Sequence, residues 1–183
     1  MAATENPPTL DRPAESAKRR GARPTVALLM AATLALGTFA IPAMALDGCL
    51  VLLCLAAPSW SAIPQCVPPI RQLLRDLALG RGFPTCAMAG AGNSASHQWA
   101  TAPGNCPLQY TRVIEGVNWT SYECDYAGAV EVNVQGTLWT RTWWGMGGDT
   151  VTEYTPAARA ALHIWDPRFD NEYAAWLASQ VSP

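Results

Sequence analysis

All six cysteines of the 183-residue chain, Cys49, Cys54, Cys66, Cys86, Cys106 and Cys124, lie in one stretch of its middle and none precedes it. An even set of closely spaced cysteines in a short chain reads as a disulfide framework, and a disulfide framework needs an oxidising compartment. The absence of any Cys-x-x-Cys argues against a thiol oxidoreductase and for structural bridges. A fold for this chain must therefore bring its cysteines together in pairs.

The segment ahead of the cysteines supplies a route to such a compartment. A basic cluster (Lys18, Arg19, Arg20, Arg23), an apolar run over residues 25–40 and the small-x-small triplet Ala43-Met44-Ala45 make up the three parts of a secretory signal. Residues 1–45 are read as a cleaved signal peptide with a polar leader, and 46–183 as one mature disulfide-bonded domain located in the periplasm. Two alternatives carry less weight. As an uncleaved anchor the apolar run is near the lower limit of the ~20 residues that span a bilayer, and Pro42 follows it. As a lipoprotein box, Leu46-Asp47-Gly48-Cys49 would acylate Cys49 and strand one of the other cysteines.

The only lysine, Lys18, belongs to the leader, so residues 46–183 carry seven arginines against eleven carboxylates. No basic stripe is present, which argues against direct nucleic-acid binding because that affinity comes largely from phosphate neutralisation. All eight tryptophans lie in the same part, enough for a dense aromatic core or for a recognition face.

The fold class is expected to be α+β: an N-terminal helical hairpin (46–86), a loop (87–107), a short antiparallel sheet (108–154) and two C-terminal helices (155–183). Residues 47–57 are apolar on all sides, as in a short buried helix, with Asp47 to cap it and Pro58 to stop it. In 67–79, Ile70, Leu73, Leu74 and Leu77 recur at helical spacing, Pro68 and Pro69 fit only a first turn, and Gly80 ends the run. Six cysteines allow fifteen pairings. The hairpin favours Cys54–Cys66 across its turn and Cys49–Cys86 at its open end, which leaves Cys106–Cys124. Residues 90–107 are small, polar and glycine-rich, and read as a connecting loop.

Farther on, residues 110–117 and 121–126 have strand composition, and Val130, Val132 and Val134 alternate with polar residues before a Gln135-Gly136 turn. Counting outward from that turn sets Val132 opposite Trp139 and Val130 opposite Arg141, with Trp143 continuing the same face. Arg141 would then stand between two indoles, and Trp139, Arg141, Trp143, Trp144 and Tyr154 become the candidate interaction surface. Residues 149–154 return as a strand. Thr155-Pro156 starts a helix with Ala158, Ala161, Leu162 and Trp165 as its stripe, and Asp170 caps a last one in which Tyr173, Trp176 and Leu177 point one way.

Catalytic signatures are absent from the sequence. His97 and His163 stand far apart, no Gly-x-Ser-x-Gly or His-Glu-x-x-His motif occurs, and Gly145-Met146-Gly147-Gly148 lacks the lysine of a phosphate loop. The carboxylates Glu123 with Asp125 and Asp166 with Asp170 read as caps and solvated loop charges before they read as a glycosidase pair. The expectation is a non-enzymatic protein without catalytic residues, cofactor or metal.

Five blocks, LDGCLVLLCLA, PQCVPPI, GTLWTRTWW, GDTVTEYTPAARAAL and WDPRFDNEYAAWL, in this order, resemble the TrbM/KikA-like family of conjugal-transfer proteins. The resemblance spans nearly all of the mature chain, and Cys49, Cys54 and Cys66 match the family's cysteines. It implies a small exported bacterial protein of a conjugative type IV secretion system, active in mating-pair formation, with no defined catalytic residues. The expected partners are other periplasmic or envelope components of that apparatus. Two alternatives are a peptidoglycan-binding or peptidoglycan-remodelling protein of the same apparatus and a periplasmic chaperone for pilus subunits.

Overall fold

The computed structural model describes residues 45–181; the signal-peptide reading of residues 1–44 falls outside them. The chain forms α1 (Gly48–Ala56), α2 (Val67–Ala78), β1 (Ser94–Trp99), β2 (Thr111–Glu115), β3 (Thr120–Cys124), β4 (Gly128–Val134), β5 (Thr137–Trp144), β6 (Thr150–Tyr154), α3 (Pro156–Leu162) and α4 (Arg168–Val181). It is a mixed α+β fold. Its main sheet is antiparallel in the order β1-β4-β5-β6, and β2 and β3 form a separate two-stranded ribbon.

Asp47 caps α1, its carboxylate accepting from the backbone N–H groups of Cys49 and Leu50 at 2.8 and 3.2 Å. In α2 the apolar stripe Ile70, Leu73, Leu74 and Leu77 is buried throughout, and Gly80, at φ +71°, takes the left-handed conformation that ends the helix. That stripe and Val51, Leu52 and Leu55 of α1 form one core with Val130, Val132 and Trp144 of the sheet. A second core lies on the opposite sheet face, where Tyr110, Ala129, Trp143 and Val151 pack with Tyr126, Cys106 and Phe169. Both faces of the sheet are thus covered.

Three bridges hold these layers: Cys49–Cys86, Cys54–Cys66 and Cys106–Cys124. The first two join the ends of the α1–α2 region to the segments beside them, and the third joins the loop before β2 to the end of β3. Among the described residues no cysteine is free, and no helix is long and apolar enough to cross a membrane.

Three expectations need correction. Residues 87–107 are not all loop: Ser94–Trp99 is the edge strand β1, paired antiparallel with β4 from Ser94↔Asn133 to Trp99↔Gly128. Its small polar residues hide a period-two pattern that sends Ala95 into the first core and His97 and Trp99 against Trp144. The second correction concerns the β4–β5 register. Val134 pairs with Thr137 across the Gln135-Gly136 turn, but a bulge then sets Val132 opposite Thr140, Val130 opposite Thr142 and Glu131 opposite Arg141. One extra residue in β5 turns every later side chain to the other face.

The third correction concerns the C-terminal helices. Of the α3 stripe only Ala158 is buried, and α4 begins two residues before Asp170, with Asp166 accepting from the Arg168 N–H at 3.1 Å. Asp170 instead accepts from Arg159 at 2.5 Å and from the Trp165 indole at 3.2 Å.

Candidate interaction surfaces

The bulge decides where the aromatic residues of β5 and β6 go. Trp143, Trp144 and Tyr154 are 2%, 0% and 3% exposed, so they are core residues and not an interaction surface. Trp144 faces the helices, and Trp143 faces the second core. Tyr154 donates its hydroxyl to the carbonyl of Pro58 at 2.5 Å, and burial, aided by the Asp166 carboxylate, pushes its pKa up to about 12. Trp139 is half-buried against the helices, its indole donating to the Ala56 carbonyl at 3.1 Å. The physical cause is the covering of both sheet faces, which leaves β5 no solvent side.

Arg141 is likewise spoken for. It bridges Glu131 on β4 at 2.6 Å and Glu153 on β6 at 3.3 Å, and its guanidinium lies 5.7 Å from the centre of the Trp143 ring. The cation–π contact is with Trp143 alone, since Trp139 turns to the opposite face. A carboxylate–arginine–carboxylate ladder across three strands is a register device, and its charges are satisfied within the sheet.

At the sheet edge, His97 sits edge-on to Trp99 with ring centres 5.0 Å apart and tilted against Trp144 at 5.6 Å. Its Nε2 and the Trp144 indole nitrogen are buried without a hydrogen-bond partner in the described protein. Both crowd Gly128, where a Cβ would meet Nε2 at 2.8 Å and the indole nitrogen at 3.0 Å. Desolvation holds the His97 pKa below its usual value, which favours the neutral imidazole. On the second core, the Tyr110 hydroxyl donates to Glu172 of α4, and burial together with that carboxylate raises its pKa.

Exposed apolar residues lie elsewhere. Trp99 and Trp119 present about half of their surfaces, at the sheet edge and at the β2–β3 turn. A cleft of about 590 Å³ runs between one side of α2, with Arg71, Leu74, Arg75 and Ala78, and the loop of residues 145–148. A second, of about 400 Å³, is formed by Leu52, Leu53 and Ala56 of α1 with Met88, Ala89 and Val134. The sequence reading named none of these residues as a contact; exposure of an isolated indole or arginine leaves no mark in a hydropathy pattern. No protein-family model, curated protein or solved structure matches the chain.

Proposed function

We propose that this protein is a periplasmic accessory or structural component of a conjugative type IV secretion system, and that it acts by binding other envelope proteins during mating-pair formation. The observation that supports an extracytoplasmic site of action is the closure of all six cysteines into three bridges. The assignment to a conjugation apparatus rests on the five sequence blocks described above. Export by a cleaved signal gives a mature chain beginning at Leu46, whose oxidised form is six hydrogen atoms lighter than its reduced form by mass analysis. Site-specific photo-cross-linking in donor cells, from a residue at the exposed β2–β3 turn such as Trp119, is expected to capture envelope components of the apparatus. A protein recovered from the cytoplasm with six free thiols would overturn the proposal.

The exposed indoles Trp99 and Trp119 favour one second reading, contact with peptidoglycan, because indoles stack on sugar rings. Retention on purified sacculi, lost when both are replaced by alanine, is its test. No retention by the unmodified protein would end it.

A further inference from the structure

The arginines of this domain are unevenly paired. Residues 46–183 hold seven arginines. Five are ion-paired: Arg81 with Asp76, Arg112 with Asp125, Arg141 with Glu131 and Glu153, Arg159 with Asp170, and Arg168 with Asp166. The remaining two, Arg71 and Arg75, have no carboxylate partner among the described residues. They stand one helical turn apart on α2, so their stems share a face, and both line the 590 Å³ cleft.

The rest of that cleft complements a bound chain. Leu74 and Ala78 give it an apolar floor, and Leu79 and Met146 stand at its rim 70% and 66% exposed. The opposite wall, residues 145–148, is a turn closed by Gly148 N–H donating to the Gly145 carbonyl at 3.0 Å. Within it the N–H groups of Met146 and Gly147 donate to no acceptor among the described residues. Glycines there let another backbone approach closely. The Asp149 carboxylate lies against Gly145, and its Oδ1 would stand 3.5 Å from a Cβ on Gly147, but its own side chain is not part of the cleft lining.

We propose that this cleft is the docking site for an acidic segment of a partner protein, an extended peptide carrying carboxylates with apolar residues between them. The inference rests on the reading of this protein as one that works by binding other proteins. Guanidinium groups bind carboxylates through paired N–H donors, and two of them a turn apart match two carboxylates on one peptide. A cleft of this size takes a few residues of chain. The domain as a whole is acidic, seven arginines against eleven carboxylates, and this cleft is where the two arginines without an internal carboxylate stand together. That contrast gives the cleft its selectivity and favours a short inserted segment over a flat lipid surface.

The test is fluorescence anisotropy of the oxidised protein with three labelled octapeptides, alternating leucine with glutamate, with glutamine or with lysine. The glutamate peptide is expected to bind at least ten-fold more tightly than the other two and to weaken as salt rises. R71Q/R75Q should abolish that preference while leaving the unfolding transition in place, since neither guanidinium is ion-paired within the described residues and Arg75 makes only an exposed hydrogen bond, donating to Gln72 Oε1 at 2.8 Å. R71E/R75E should transfer the preference to the lysine peptide. Equal binding of the glutamate and glutamine peptides, or discrimination that survives R71Q/R75Q, overturns the proposal. So does arginine-dependent binding of phosphatidylglycerol vesicles without peptide discrimination, or saturable binding of inorganic phosphate that the peptide cannot displace. These measurements report on the cleft alone. The cross-link from Trp119 reports on the apparatus, so either reading can fail without the other.

Discussion

Replacing Gly48 by alanine separates local helix propensity from the packing imposed by a disulfide. Gly48 opens α1. In an exposed helix interior, glycine to alanine stabilises by about 1 kcal/mol because the glycine backbone loses more freedom on folding. Here a Cβ would stand 2.3 Å from the Thr85 carbonyl oxygen, 2.5 Å from its carbon and 3.0 Å from its nitrogen. Ordinary contact begins near 3.4 Å, so the Thr85 backbone must retreat by about 1 Å. Retreat is opposed by the neighbouring bridge, which holds the Cα atoms of Cys49 and Cys86 4.4 Å apart. Overpacking of this kind costs about 1–3 kcal/mol, which exceeds the propensity gain at a first-turn position. G48A is therefore expected to be less stable by about 1–3 kcal/mol in urea unfolding under non-reducing conditions, read as a lower midpoint at unchanged slope. In a C49S/C86S background the exposed Thr85 segment can move outward, and the cost should fall below about 1 kcal/mol, a coupling that a double-mutant cycle measures directly. If G48A is as stable as the parent with the bridge intact, the close approach of α1 to Thr85 is wrong.

Three further outcomes follow from the same structure. Removing the Cys49–Cys86 bridge by C49S/C86S opens a loop with sequence separation 37, and chain-entropy scaling gives a loss of about 4 kcal/mol in the same urea assay; a loss under about 1 kcal/mol would mean the bridge does not constrain the unfolded chain. R141A leaves Glu131 and Glu153, 19% and 32% exposed, without their shared cation, and should cost about 2–4 kcal/mol, against about 0–1 kcal/mol for R112A, whose partner Asp125 is 40% exposed; equal losses would refute the ladder. Burial holds the folded His97 pKa below its ordinary 6.5, so between those values the unfolded chain binds more protons. Its contribution is complete above about pH 6.5 and is lost as pH falls through the folded value, a fall in stability that H97Q should lack when the two proteins' pH profiles are compared.

The starts of α1 and α3 and the buried face of α2 were legible because their signals are local. Asp47 and Thr155 cap the helices they precede, Ile70, Leu73, Leu74 and Leu77 show their buried face by spacing alone, and Gly80 stops α2 in the conformation a glycine supplies. The sheet was legible only as far as the first pair beyond its turn. Val134↔Thr137 follows from Gln135-Gly136, both at positive φ, but the bulge at Trp139 depends on contacts distant in sequence. Trp139 turns toward α1 to donate to Ala56, and Thr140 donates to the Leu55 carbonyl at 2.9 Å. With α1 supplying two acceptors, consecutive residues of β5 face the same way, and period-two counting fails there. Arg141 and Trp143, which that counting sets on the face of Val130 and Val132, consequently lie on the other one.

Strand β1 escaped notice for a related reason. Its partner β4 is buried on both faces and supplies the hydrophobic contrast for the pair, so the edge strand itself can be made of serine, alanine and glutamine. The cationic cleft is harder still to read from a chain. Arg71 and Arg75 differ from Arg81 or Arg168 in nothing that composition, spacing or hydropathy records. They become distinctive by subtraction, once Asp76, Asp125, Glu131, Glu153, Asp166 and Asp170 have been assigned to the other five arginines. Asp76 illustrates the point, because it lies one residue from Arg75 yet at 2.7 Å takes Arg81 from beyond the end of the helix. Adjacent residues on a helix face in different directions, whereas the turn at Gly80 brings Arg81 back over that carboxylate. Gln72 stands between Arg75 and Asp76, donating to Asp76 at 2.8 Å and accepting from Arg75 at 2.8 Å, so an amide and not a carboxylate meets the Arg75 guanidinium and its charge stays on the cleft wall.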